Sequence, residues 1–210
     1  MSEYVIRASF TETTVRVYQA YSEAIAKPAL ERGKFVSPFS MSRMTWIKPS
    51  FNWMMYRSGY GTKVGQEVVL AIDIAREGFE WALRHAVLSH FESGIHSSVE
   101  EWSKCLQASS VRVQWDPERN WRLGILENVR AIQIGLAYEA VDRYVNDWIR
   151  RIEDVTPIAR QIAADRHAGV SPQFLPSQLE KPYLLTRELS EFLAKTIIPV
   201  AKHPIQRSLD

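Results

Sequence analysis

The residues with the most chemical potential lie in one run, "MTWIKPSFNWMMYRSGYGTK", from Met44 to Lys63. It sets Trp46, Trp53 and Tyr56 beside Lys48 and Arg57: flat rings suited to stacking on a base or nicotinamide, with cations suited to phosphate. Pro49 after Lys48 predicts a strand ending at Ile47 and a helix beginning at Ser50 or Phe51. On that helix Phe51, Met54 and Met55 share one side, while Trp53, Tyr56, Arg57 and Tyr60 share another. A helix apolar on both sides is buried on both or faces a cleft. If buried, Arg57 must reach a carboxylate or carbonyl, because a desolvated guanidinium without a partner is costly. If not, the second side is an aromatic and cationic wall for a nucleotide. The glycine-rich continuation "SGYGTKVGQ" lacks Walker spacing and reads as a plain loop.

Three amides form a second set. Gln19 in "VYQAY", Gln114 in "VRVQWD" and Gln133 in "AIQIG" each sit inside an apolar strand. A buried Gln must be hydrogen-bonded, so each is either a satisfied core amide or, where strands meet, a contact offered to a ligand. Carboxylates form a third. Asp116 and Glu118 in "QWDPER" fall near an expected strand end, where an acid can reach a cleft and act as base or cation stabiliser. The alternative is a polar turn opened by Asp-Pro. Glu67, opening "EVVLAIDI", is a rival. His85, His90 and His96 match no zinc-ligand spacing, and a metal site is not expected. No GxSxG elbow is present.

The elements that must position these groups are legible from pattern. Strands are expected at Tyr4–Phe10, Thr14–Tyr21, Glu67–Ile74 and Val129–Leu136, with another in "SVRVQWDPER" broken at Asp116-Pro117. Within Thr14–Tyr21, Val15, Val17, Gln19 and Tyr21 share one face and Arg16, Tyr18 and Ala20 the other. Ser22 and Gly33 bracket a helix containing Pro28. "REGFEWALRHAVLSHF" reads as one helix, "SVEEWSKCLQAS" as another opened by a capping box at Ser98 and Glu101. Helical spacing runs from Tyr138 through Ile152, and Thr156-Pro157 starts the next helix. Strands early and helices late indicate an α+β fold, a single domain over residues 1–168 with a small mixed or antiparallel sheet packed by helices. Residues 169–210 read as a Pro-rich segment with a short helix near "TRELSEFLAKT" packed on that domain.

Composition bounds the function. The chain has 210 residues, 46% hydrophobic, enough for one sizeable core. A net charge of +2 does not demand a nucleic-acid partner. The single Cys105 cannot form an internal disulfide and suits a reducing compartment. "MSEYVIRASF" lacks the pattern of a secretory signal, and no segment has the roughly 18–20 apolar residues of a membrane span. A cytoplasmic protein without a membrane partner is expected.

The stretches "IRASF", "VYQAYSEAIA", "RMTWIKPSFNWMMYRSGYGTK", "VQWDPER" and "IQIGL" resemble an uncharacterised bacterial and fungal family, a domain of unknown function (family 4291). The similarity runs from about Tyr4 through "LPSQLEKPY". In layout, "VYQAYSEAIAKPALERGKF" is also similar to the first strand and helix of ADP-ribosyltransferases, where a tyrosine and a His or Arg precede a small residue. That resemblance implies an ADP-ribosyltransferase-like fold and NAD as a substrate, with ADP-ribose passed to nucleic acid or protein. Tyr18 falls at the tyrosine place and Gln19 at the His/Arg place, a departure from the pattern. Thr45, Ser50 or Tyr56 matches the second-strand position, and Glu118, or else Glu67, the glutamate. Trp46, Trp53 or Tyr56 would then stack nicotinamide, Arg16, Lys48 or Arg57 hold the pyrophosphate, and Gln114 contribute an amide. The other reading of the same wall is a non-catalytic nucleotide or RNA-binding module.

Overall fold

In a computed structural model, which describes residues 3–199, two sheets meet almost edge to edge. The first is antiparallel, in the order β2 (Thr14–Tyr21), β4 (Val68–Ala75), β8 (Ile149–Asp154). β2 and β4 pair along their whole length, from Thr14 opposite Ala75 to Tyr21 opposite Val68. The second sheet runs β3 (Thr45–Ile47), β7 (Ile125–Leu136), β6 (Val111–Arg119), β5 (Ala86–Leu88), with only β5–β6 parallel. A two-residue ribbon, β1 (Arg7–Ala8) with β9 (Lys181–Pro182), completes the α+β architecture.

The near-continuous apolar run of β4 follows from its cover on both faces. Leu70, Ile72 and Ile74 point into the main core, which β2, α1 (Glu23–Arg32) and α3 (Arg76–Arg84) also line. Val69 and Ala71 point the other way, into a second core with Phe51, Met54 and Met55 of α2 (Phe51–Ser58) and Ala159 and Ile162 of α6 (Thr156–His167). At full burial the Val, Leu, Ile, Phe and Met side chains among these each contribute about 1.5–3 kcal/mol.

Several elements depart from their expected bounds. The first strand shrinks to Arg7–Ala8. α3 stops at Arg84, and Val87 belongs to β5, because a three-residue strand has no period that separates it from a helical continuation. For the same reason Ile149 and Ile152 lie on β8, after α5 (Glu139–Arg143) and a π-helical turn over Tyr144–Trp148. β6 is not broken at Asp116-Pro117. It runs on to Arg119 with a register shift between Pro117 and Arg119, where a missing N–H is tolerated.

The stretch after Gly169 is built into the core. It carries a 3-10 turn over Pro176–Leu179, β9 and α7 (Arg187–Thr196). Leu189, Leu193 and Ile197 are buried in the main cluster, and the Ile197 carbonyl accepts the indole N–H of Trp115 at 2.7 Å. Residues 200–210 of the expected C-terminal segment lie outside the described residues. Among the described residues, no helix is long and apolar enough to cross a membrane. α4 (Val99–Ala108) begins at Ser98, whose hydroxyl accepts from the Glu101 N–H.

Candidate functional site

The two sheets are joined where β2 passes the end of β3. Tyr18 donates its N–H to the Lys48 carbonyl at 2.7 Å, and Lys48 returns the bond at 3.3 Å. Beside this bridge a cleft of about 640 Å³ opens, within the ordinary range for small-ligand sites. Its walls come from β2 (Gln19, Tyr21), from β3 and its flanks (Arg43, Trp46, Lys48), from α2 (Trp53, Tyr56, Arg57) and from the second sheet (Gln114, Asp116, Gln133).

α2 presents its rings with its two ends fixed. Ser50 accepts from the Trp53 N–H, and the carboxyl of Glu180 accepts the Phe51 N–H at 2.7 Å. Gly59, at φ 60°, closes the helix in the left-handed region. One side of the helix (Phe51, Met54, Met55) is core and the other (Trp53, Tyr56, Arg57) faces the cleft, so the segment's aromatic content serves both purposes. Tyr60 does not join the cleft; it turns into the second core and donates to the Trp121 carbonyl. Tyr56 is 40% exposed, with the Arg119 guanidinium 3.8 Å from its ring centre. On β3, the Trp46 ring lies over Gly135 of β7. A Cβ at Gly135 would come within 3.0 Å of that indole and 2.9 Å of the Met44 sulfur.

The three glutamines divide into two kinds. Gln19 is internally satisfied: its Nε2 donates to Thr45 Oγ1 (2.6 Å), Tyr21 Oη (3.0 Å) and the Trp46 carbonyl (3.1 Å). Its Oε1 accepts from the Tyr144 hydroxyl at 2.7 Å. Gln114 and Gln133 face each other across β6 and β7, and both donate through Nε2 to Asp116. With both NH₂ groups turned to the acid, each amide turns its carbonyl oxygen, an acceptor, the other way. The result is a floor of one carboxyl and two amides, within a cleft whose other walls carry cations.

Lys48 is the most perturbed of those cations. Only 7% exposed, it donates to the Trp46 carbonyl at 3.2 Å and lies 5.5 Å from the Trp53 ring centre. Burial, helped by the charge of Arg57 and opposed by Asp116, lowers its ammonium pKa to about 7. Arg57, by contrast, is exposed at the cleft and makes no ion pair among the described residues.

Of the residues singled out from the sequence, Gln19, Thr45, Trp46, Lys48, Trp53, Tyr56, Arg57, Gln114, Asp116 and Gln133 line this one cleft. Arg16, Tyr18, Ser50, Glu118 and Glu67 do not. Arg16 and Tyr18 lie on the opposite face of β2 from Gln19, as the alternation requires. Arg16 pairs with Asp73 (2.8 Å) and Glu153 (3.2 Å), and Tyr18 packs edge-on against Phe51 in the second core. Ser50 is tied up as the α2 cap. Glu118 is covered by that cap: its carboxyl accepts from Ser50 Oγ at 2.9 Å and from the Arg119 N–H at 2.7 Å, and burial raises its pKa. The acid in the cleft is Asp116. Glu67 lies outside as well, accepting from the Gly65 N–H. Arg43, Tyr21 and Tyr144 complete the arrangement, and none carries a sequence signal that marks an exposed Arg or a packed Tyr as part of a site.

An α+β domain with a polar, ring-walled cleft at the junction of two sheets is the class that fold and site define. The chain belongs to the family described as domain of unknown function (DUF4291), whose model matches residues 5–183. That span covers every cleft residue named above. No curated protein matches the chain.

Proposed function

We propose that the cleft binds NAD, breaks its nicotinamide–ribose bond and passes ADP-ribose to a nucleic-acid or protein acceptor in the cytoplasm. The observation that carries this reading is the convergence of Trp46, Trp53, Tyr56, Lys48 and Arg57 on a hollow that also contains Asp116. The rings suit stacking on nicotinamide or adenine, the exposed Arg57 guanidinium suits the pyrophosphate, and the amide carbonyls of Gln114 and Gln133 suit N–H groups of the bases. Breaking the bond puts positive charge on the ribose, and Asp116 is the acid positioned to stabilise it. Fixed charge of this kind contributes about 3–4 kcal/mol to a transition state. Asp116 takes here the role expected of Glu118.

The test is nicotinamide release from NAD, with thermal shift as a binding control. Asp116→Asn should reduce turnover by about 100-fold or more, with NAD binding retained. If NAD neither shifts the melting curve nor yields nicotinamide, the reading fails. RNA binding that weakens with salt and is lost in Trp53→Ala would instead select a non-catalytic nucleotide-binding module.

A further inference from the structure

We infer that Lys48 is a covalent catalyst, its side-chain amine capturing the ribosyl C1′ as an imine. The inference rests on the N-glycoside reading above. Lys48 lies at the cleft wall between the Trp46 carbonyl and the Trp53 ring, with one acceptor for a group that carries three protons when charged. The groups facing it are Arg57 from α2 and Asp116 from β6, with Arg43 and Tyr21 further along the same cleft. A cationic neighbour and a dry setting both favour the neutral amine, and a neutral lysine is a nucleophile.

The step balances without an outside oxidant or reductant. The Nζ lone pair bonds to C1′ as the C1′–N bond breaks, and the electron pair of that bond leaves with nicotinamide. Asp116 takes a proton from the new C1′–Nζ ammonium. When the ring opens, the C1′–O4′ pair goes to O4′, which recovers that proton, and the remaining Nζ lone pair forms the C=N bond. Water or an acceptor nucleophile then adds to C1′, its proton passing to Nζ. O4′ closes back on C1′ and gives its proton to Asp116 as the C1′–Nζ bond breaks, and the electron pair of that bond returns to the amine.

Cyanoborohydride trapping tests this. The intact protein is incubated with the reductant and either NAD or free ADP-ribose, whose open-chain form carries an aldehyde, and adducts are mapped by peptide mass spectrometry. The expected result is one dominant ADP-ribosyl adduct at Lys48 in both arms, lost in Lys48→Arg. With an amine titrating at about 7, trapping at Lys48 should rise about tenfold from pH 6 to pH 8 and then level off. At an exposed lysine it should keep climbing. This pH profile is read on the wild type and does not depend on the variant folding. Nicotinamide release without a Lys48 adduct would overturn the inference and leave the NAD reading standing. Labelling by ADP-ribose at Lys48, without nicotinamide release from NAD, would keep the amine's role and remove NAD as its source. Labelling at surface lysines only would overturn the inference outright.

Discussion

Tyr18 and Lys48 exchange main-chain hydrogen bonds, 2.7 and 3.3 Å long, and this bridge ties the β2 edge of one sheet to the end of β3 on the other. Because the bond is made by backbone, the Lys48 side chain can be changed without breaking the join. Lys48→Met should therefore fold. It should also alter the pH response in a defined way. In the folded chain the amine titrates near 7 rather than at the ordinary 10.5, so between those values the unfolded chain holds more protons and stability rises with pH. The rise, at most about 1.4 kcal/mol per pH unit, should be absent from urea melts of Lys48→Met.

Glu180 gives a limb of opposite sign. Burial raises its carboxyl to about 8, with the nearby Glu118 adding to the shift and the Phe51 N–H opposing it. From its ordinary 4.5 up to about 8 the folded chain holds the extra proton, so stability falls as pH rises. Glu180→Gln should flatten that fall and be the more stable protein at pH 8. A variant whose stability tracks the wild type at every pH would refute the assignment.

Arg57 and Arg16 should separate function from stability. Arg57 is exposed without an ion pair among the described residues, so Arg57→Ala should change stability by less than about 0.5 kcal/mol. It should weaken nucleotide binding about tenfold, a loss of about 1.4 kcal/mol. Arg16→Ala breaks the contacts to Asp73 and Glu153 on the far face and should cost about 1 kcal/mol with binding unchanged. Melting curves and a nucleotide titration on both variants decide it.

Gly135 is held small by Trp46. Gly135→Ala forces its methyl against the indole and the Met44 sulfur, and should destabilise by about 1–3 kcal/mol. The displaced ring should also weaken nucleotide binding, measurable by isothermal titration. Unchanged values for both would show the ring is free to move.

Tyr144→Phe should leave the Gln19 carbonyl without its donor. Tyr144 is wholly buried, so the expected cost is about 1–3 kcal/mol in urea melts. The Gln19 amide, whose two N–H groups are shared among Thr45, Tyr21 and the Trp46 carbonyl, would lose the one bond that fixes its carbonyl end.

What was legible in the sequence follows the range of the forces involved. β2 and α1 match their expected bounds because alternation and a left-handed Gly act within a few residues, although the Ser22 hydroxyl at the head of α1 makes no capping hydrogen bond. The two sides of α2 were likewise readable from helical spacing. The choice between Asp116 and Glu118 was not. Period two would put Gln114, Asp116 and Glu118 on one face. The distinction comes from the register shift after Pro117, which breaks that alternation, and from Ser50, 68 positions away, whose hydroxyl donates to Glu118 and leaves Asp116 open. β5 and β8 escaped for a related reason: each is a strand only because a distant partner accepts it. The α+β class was plain from element order, whereas the meeting of two sheets at Tyr18 and Lys48 is a tertiary contact that no window of sequence contains.

Glu180 and Ile197 also limit where the polypeptide can be shortened. A fragment ending at Ala168 would lose the acceptor for the first N–H of α2, the carbonyl that receives the Trp115 indole, and the Tyr183 ring wedged between Phe10 and Phe79. The cleft wall built on α2 and the tail therefore belong to one cooperative unit, and a protease cut near Ala168 should collapse the cleft by unfolding its supports.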